Sequence, residues 1–102
     1  MKTLLENINK AFESRARLGI MSVLLVEDKV DFNTLKENLQ LTDGNLASHL
    51  RALEEADYLR VEKQFIGRKP NTTYFATDTG REAFKSHLDA LEQLILNNRQ
   101  ID

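Results

Sequence analysis

Asn45, Ser48 and Arg51 are the side chains of this 102-residue sequence whose types and spacing best suit recognition chemistry. On a helix advancing about 100° per residue with Leu46 inward, Gly44, Ser48, Arg51 and Glu55 point away from the core. Asn45 and Ala52 then lie on a flank, and His49 sits at the edge beside the core face. The outward surface near the N-terminal end is Asp43, Gly44, Asn45, Ser48 and Arg51, small or hydrogen-bonding with a single guanidinium. Acids gather only later, at Glu54, Glu55 and Asp57. Such a helix suits entry into a major groove by its N-terminus. Asn and Arg can pair with adenine or guanine edges and Ser can serve either role, while the free N–H groups and the helix dipole favour phosphate. Each position taken alone also fits an ordinary solvated helix. Asp43 can simply complement the dipole, and His49 can be a packed, hydrogen-bonded residue near the core.

A second feature follows. From Lys63 to Thr73 there are three cations, Lys63, Arg68 and Lys69, and no acid. The whole chain has a net charge of −2, so this is a local excess rather than a basic protein. A cationic tip suits tracking of a phosphate backbone, with Thr72 and Thr73 adding hydroxyl contacts. Arg68 can alternatively reach into a narrow minor groove. The plainer alternative is a solvated turn that happens to be basic.

Other chemistries are poorly served. There is no Cys, hence no disulfide, thiolate metal site or Cys nucleophile. The two histidines, His49 and His87, have no second histidine at ligand spacing, so no metal is expected. Asp78-Thr79-Gly80 matches the catalytic triplet of aspartic proteases, but a single copy that opens a helix is a weak signal. The carboxylate pairs Glu27/Asp28 and Glu54/Glu55 fall at helix ends, where solvation explains them. Ser48 and His49 are adjacent and do not face each other on a helix. With no nucleophile–base–orienter set, no enzymatic activity is expected. No apolar run reaches the length of a membrane span, and the N-terminus does not read as a signal peptide. The expectation is a soluble cytoplasmic protein with no membrane partner.

These residues need elements to position them. The order predicted is helix, helix, short helix, helix, strand, turn, strand, helix. Leu4, Leu5, Ile8, Ala11 and Phe12 make a helical stripe. Ser14 then caps a helix from Arg15 to Val26, in which Gly19 implies close packing against another helix. After a polar connection over residues 27–30, Asp31 caps a short helix over residues 32–38. Gln40 and Leu41 turn the chain, and Thr42 caps a fourth helix running to about residue 58. Leu59, Val61 and Phe65 alternate as a half-buried strand. Residues 67–71 form a turn and residues 72–76 a second strand. Thr77 or Asp78 caps a last long helix carrying Phe84, Leu88, Leu91 and Ile95, with Leu94 alongside. The fold class is therefore mainly α with a β-hairpin, in one domain over residues 1–102.

The runs Asp31-Phe32-Asn33-Thr34-Leu35-Lys36 and Leu41-Thr42-Asp43-Gly44-Asn45-Leu46-Ala47-Ser48-His49-Leu50-Arg51 resemble the helix-turn-helix of small winged-helix regulators. Gly67-Arg68-Lys69-Pro70-Asn71-Thr72-Thr73-Tyr74 resembles their wing, and Ala76-Thr77-Asp78-Thr79-Gly80-Arg81 the motif that opens their last helix. The sequence is in this respect similar to the MarR and ArsR groups over residues 15–85. The resemblance implies a homodimeric transcription regulator on a pseudo-palindromic double-stranded DNA operator. Thr42, Gly44, Asn45, Ser48, His49 and Arg51 would lie at or near DNA, and Lys63, Arg68, Lys69, Thr72 and Thr73 would belong to the wing. Residues 15–77 would form the DNA-binding core. Residues 1–14 and 78–102 would be terminal dimerisation helices, joined through Leu4, Leu5, Ile8, Phe12, Phe84, Leu88, Leu91, Leu94 and Ile95. The same stripes also suit packing of the first helix on the last within one chain. Lack of Cys departs from thiolate metal sensors of the ArsR type, and the short chain leaves less room for a ligand pocket than MarR proteins have, so no cofactor is expected. A small-molecule effector stays open. The alternative from another class is a winged-helix protein-interaction module.

Overall fold

In the computed structural model, which describes residues 5–99 and side chains through residue 97, caps set the helix starts. The Ser14 hydroxyl accepts from the Arg17 N–H to open α1, Arg15–Val26. The Asp31 carboxylate accepts from the Thr34 N–H at 2.7 Å to open α2, Phe32–Leu39. The Thr42 hydroxyl accepts from the Asn45 N–H to open α3, Asp43–Glu55. Each satisfies an N–H that the helix itself leaves free. Between α2 and α3 the chain reverses at Gln40, which takes a left-handed φ of 53°. After α3 come β2, Leu59–Ile66, β3, Lys69–Ala76, and α4, Asp78–Arg99.

The bounds and kinds of several elements depart from the sequence expectations. The N-terminal stripe is not an α-helix over the described residues: it is turns and one 3-10 turn, Lys10–Phe12. The reason is Asn9, held extended because its backbone N–H donates to His87 Nδ1 (3.1 Å) and its side-chain amide to the Tyr58 hydroxyl (3.0 Å). Leu4 lies outside the described residues. Val30–Asp31, expected as connection and cap, also forms a two-residue strand, β1, paired antiparallel to Tyr74 and Thr73. The sheet order is β1-β3-β2. The α3 helix stops at Glu55, three residues early. Asp57, at φ 65°, closes a Schellman turn in which the Asp57 N–H donates to the Glu54 carbonyl and the Tyr58 N–H to the Leu53 carbonyl. Finally, the hairpin turn is only Gly67-Arg68, because Ile66 pairs with Lys69 and Phe65 with Pro70. Gly67 supplies the positive φ, 66°, that a two-residue loop requires.

Phe12, Ile20, Met21, Leu24, Leu35, Leu46, Leu50, Leu53, Leu59 and Phe84 form one buried core. Gly19 does sit against another helix: a Cβ there would meet the Leu39 side chain at 2.8 Å. Arg81 donates to the Leu24 and Leu25 carbonyls, tying the first turn of α4 to the carbonyl end of α1. Beyond Ala90 the described α4 side chains are half-buried or exposed. The radius of gyration is 15.9 Å with a long axis of 62 Å, against about 13 Å expected of a compact chain this size.

Candidate nucleic-acid interface

Leu46, Leu50 and Leu53 seat α3 in the core, which orients everything else on that helix. Thr42, Asp43, Gly44, Asn45, Ser48 and Arg51 are all exposed, and the Asn45, Ser48 and Arg51 side chains make no hydrogen bond among the described residues. They are free to bond elsewhere. Asp43, the one acid on this front, is ion-paired to Lys36 of α2 at 2.8 Å, which tempers its repulsion of an approaching phosphate. Gly44 has no structural reason to be glycine: a Cβ there would meet nothing within 4 Å.

His49 departs from this front. It is half-buried and lines a cleft of about 710 Å³ with Ser14, Arg15, Ala16, Asn38, Leu39, Gln40 and Leu41, on the side of α3 facing α1. The wing residues also divide. Cross-strand partners share a face of the sheet, so Lys63 and Thr72 lie together on the face that carries Leu59, Val61, Tyr74 and Ala76. Arg68 is in the loop, and Lys69 is exposed beside Ile66. Thr73 corrects the expectation of a phosphate contact. It is buried at the base of the wing, where β1 pairs against it, and its hydroxyl has no hydrogen-bond partner among the described residues. The expected half-burial of Phe65 also fails: it is 73 % exposed and Ile66 65 %. The alternation was right about which face Phe65 is on, but the helical layer under that face ends before the strand does.

The dimerisation stripe divides in the same way. Phe12 and Phe84 are consumed inside the chain, edge-to-face at 5.1 Å, so they have no surface left for a partner. Leu5, Leu88, Leu91 and Ile95 are exposed, while Ile8 and Leu94 are half-buried. Leu88, Leu91 and Ile95 share one side of α4 by their spacing, and Ile95 is 59 % exposed.

Sequence reasoning assigned no role to His87, which the fold places at a junction. Its ring lies 5.3 Å from that of Phe12, which also stacks on Tyr58 at 5.2 Å. Burial holds the imidazole below its ordinary value of 6.5, and Glu13 pulls in the other direction. The fold therefore favours neutral His87, whose Nδ1 accepts from Asn9. The unfolded chain takes up the proton first on acidification. The stabilisation is complete above 6.5 and is lost as pH falls through 6.5 towards the lower folded value. The thermal midpoint is expected to drop between about pH 7.5 and about 5.5. His87→Gln, which keeps an acceptor for Asn9, is expected to flatten that drop; an unchanged pH profile in the variant would rule out His87 as its source.

A capped helix-turn-helix whose second helix presents an unpaired polar front, followed by a cationic two-stranded hairpin, defines a winged helix-turn-helix protein. The model of the winged helix DNA-binding domain family matches residues 16–95, and the chain belongs to that family. It is 40% identical over 88 residues to an uncharacterized protein of Methanocaldococcus jannaschii, covering 86% of this chain and 96% of that one. A transcriptional regulator homologue from Pyrococcus horikoshii OT3 superposes with a TM-score of 0.81 at 34% identity, over 92% of this chain and 91% of that one. A MarR-family regulator from Enterococcus faecalis V583 shares the fold, with a TM-score of 0.66 at 23% identity over 95% and 80% of the two chains. Among the described residues no helix is long and apolar enough to cross a membrane.

Proposed function

We propose that the protein is a homodimeric, sequence-specific transcription regulator acting on double-stranded DNA in the cytoplasm. Two protomers join along α4, and two α3 helices enter successive major grooves about 10–10.5 bp apart. Asn45, Ser48 and Arg51 meet base edges, Thr42 and the N-terminus of α3 meet phosphate, and Gly44 lets the helix approach closely. Lys63, Arg68, Lys69 and Thr72 hold the flanking backbone. The observation that carries this reading is the front of α3: exposed, without internal partners, and containing a glycine that no packing contact requires. His49 faces the cleft beside α1, so it is left out of the base-reading set.

Arg51→Ala is expected to cost about tenfold in affinity for the preferred site and to relax the choice of base there. Arg68→Ala and Lys69→Ala are expected to weaken binding to all duplexes alike and to lower the slope of log affinity against log salt by about 0.9 per lost phosphate contact. The experiment is a salt titration of binding to genomic fragments, with the retained fragments sequenced. Enrichment of a palindrome and a steep salt dependence support the proposal. Absence of retention at low salt would overturn it in favour of a protein-docking role.

A further inference from the structure

The C-terminal end of α1, away from the end beside His49, borders a second cleft of about 420 Å³, a size that suits a small molecule. Glu27 and Asp31 line it, with Val23 and Val30 as an apolar wall and Asn38 of α2 opposite. A smaller cleft of about 290 Å³ shares Val23, Glu27 and Asn38 with it and adds Val26, which is 82 % exposed. Thr73 also lines the larger cleft. It is 9 % exposed, and its hydroxyl has no hydrogen-bond partner among the described residues. A buried hydroxyl left unpaired is costly, so an occupant that bonds it gains directly. The cross-strand neighbours of Thr73 are Asp31 on one side and Glu62 on the other.

Charge decides what kind of occupant fits. The lining has two carboxylates and one cation, Lys29, which is already held by Glu62 at 2.7 Å. Arg81, the other cation at this end of α1, donates to the Leu24 and Leu25 carbonyls. Hydrogen bonds from Thr34 hold the Asp31 carboxyl below its ordinary value of 3.8, so it is charged at neutral pH. The cleft therefore pairs uncompensated negative charge with an apolar wall. We propose that it binds a short aliphatic diamine, with ammonium groups on Glu27 and Asp31 and the methylene chain along Val23 and Val26. The Thr73 hydroxyl and the Asn38 carbonyl accept the remaining N–H groups. An ammonium offers three donors and no acceptor, which complements this lining of acceptors. An anion would be repelled by the two carboxylates. A metal ion is poorly matched, because among the described residues no group of three or more His, Cys, Asp or Glu side chains could hold one. The site lies apart from the front of α3 and goes beyond the DNA-binding reading.

The test is a titration of the full chain with putrescine, followed by amide NMR without DNA, so that its result stands whatever becomes of the DNA-binding reading. Saturable shifts are expected at residues 27–34, Asn38 and Thr73. Butanediol, which keeps the chain length but carries no charge, is expected to produce none. Glu27→Gln and Thr73→Val are each expected to weaken putrescine about tenfold, the effect of one hydrogen bond to a charged group. Neither is expected to lower the thermal midpoint. Glu27 is exposed and its backbone N–H makes its cap bond, and Thr73→Val removes a hydroxyl that has no partner in the chain. Should Thr73→Val fail to fold, Glu27→Gln alone decides. Absence of saturation, equal shifts with butanediol, or unchanged affinity in Glu27→Gln would overturn the inference. So would magnesium chloride at matched ionic strength giving the same saturable shifts, since the cleft would then be a site for any cation.

Discussion

Gly80→Ala is expected to lower the thermal midpoint by of the order of 15 °C, the signature of losing about 3 kcal/mol from a chain of this size. A Cβ at residue 80 would stand 2.0 Å from the Tyr58 carbonyl oxygen and 2.7 Å from its carbon. Both atoms are backbone, so no side chain can swing aside. That carbonyl already accepts from the Thr77 N–H at 3.1 Å, and the Thr77 hydroxyl both donates to the Asp57 carbonyl and accepts from the Gly80 N–H. Making room therefore means separating the start of α4 from the end of the α3 turn and giving up this knot of bonds. The resemblance of Asp78-Thr79-Gly80 to a catalytic triplet has here a mechanical explanation: Thr77 caps α4 and Gly80 permits the approach. Gly44→Ala is the control, because its Cβ meets nothing. There the same substitution is expected to stabilise the fold by up to about 1 kcal/mol while weakening DNA binding. Thermal denaturation of the two variants checks both signs; a Gly80→Ala midpoint within a few degrees of the parent would show that the approach is not as close as described.

How much was legible in the sequence depends on how local the cause is. Ser14, Asp31 and Thr42 cap the helices they were expected to cap, because capping is settled within three residues. The leucine spacing on α3 placed its outward front correctly for the same reason. Asn9 shows the opposite case. Its neighbours carry a helical stripe, yet two bonds to residues 49 and 78 positions away hold it extended, and no local pattern announces them. β1 exists only because β3 arrives beside Val30. Thr73 looked like its neighbour Thr72, but the alternation of the strand puts it on the other face of the sheet, where it is buried. Phe65 read as half-buried because it continues the alternation of Leu59 and Val61; the helical layer ends before the hairpin does, and where a layer ends is a property of the assembled fold.

The other large effect concerns α4. Leu91→Glu combined with Ile95→Glu is expected to convert a dimer to a monomer and to weaken binding to a two-half-site duplex by about 10²–10⁴-fold. Two half-sites held in one dimer make the second contact intramolecular; separated protomers must each bind alone. The free apolar side of α4 is Leu88, Leu91 and Ile95, next to the inward side that carries Phe84, His87 and Ala90. On the proposed reading, a copy of the same side would cover these exposed residues. A carboxylate at residue 91 or 95 stays solvated in the monomer, so the protomer is expected to remain folded. In the dimer the same groups would face their counterparts across a two-fold interface, where like charges oppose association. Phe84→Glu separates the two situations, since Phe84 is buried within the protomer and its loss is expected to unfold the chain outright. Sedimentation, together with the concentration dependence of the thermal midpoint, reads the association directly, since a dimer's midpoint rises with protomer concentration and a monomer's does not. A double variant that sediments as the parent does, and binds the two-half-site duplex equally well, would remove α4 as the interface. Loss of the dimer with single half-site binding intact would place the avidity in α4 and the recognition in α3.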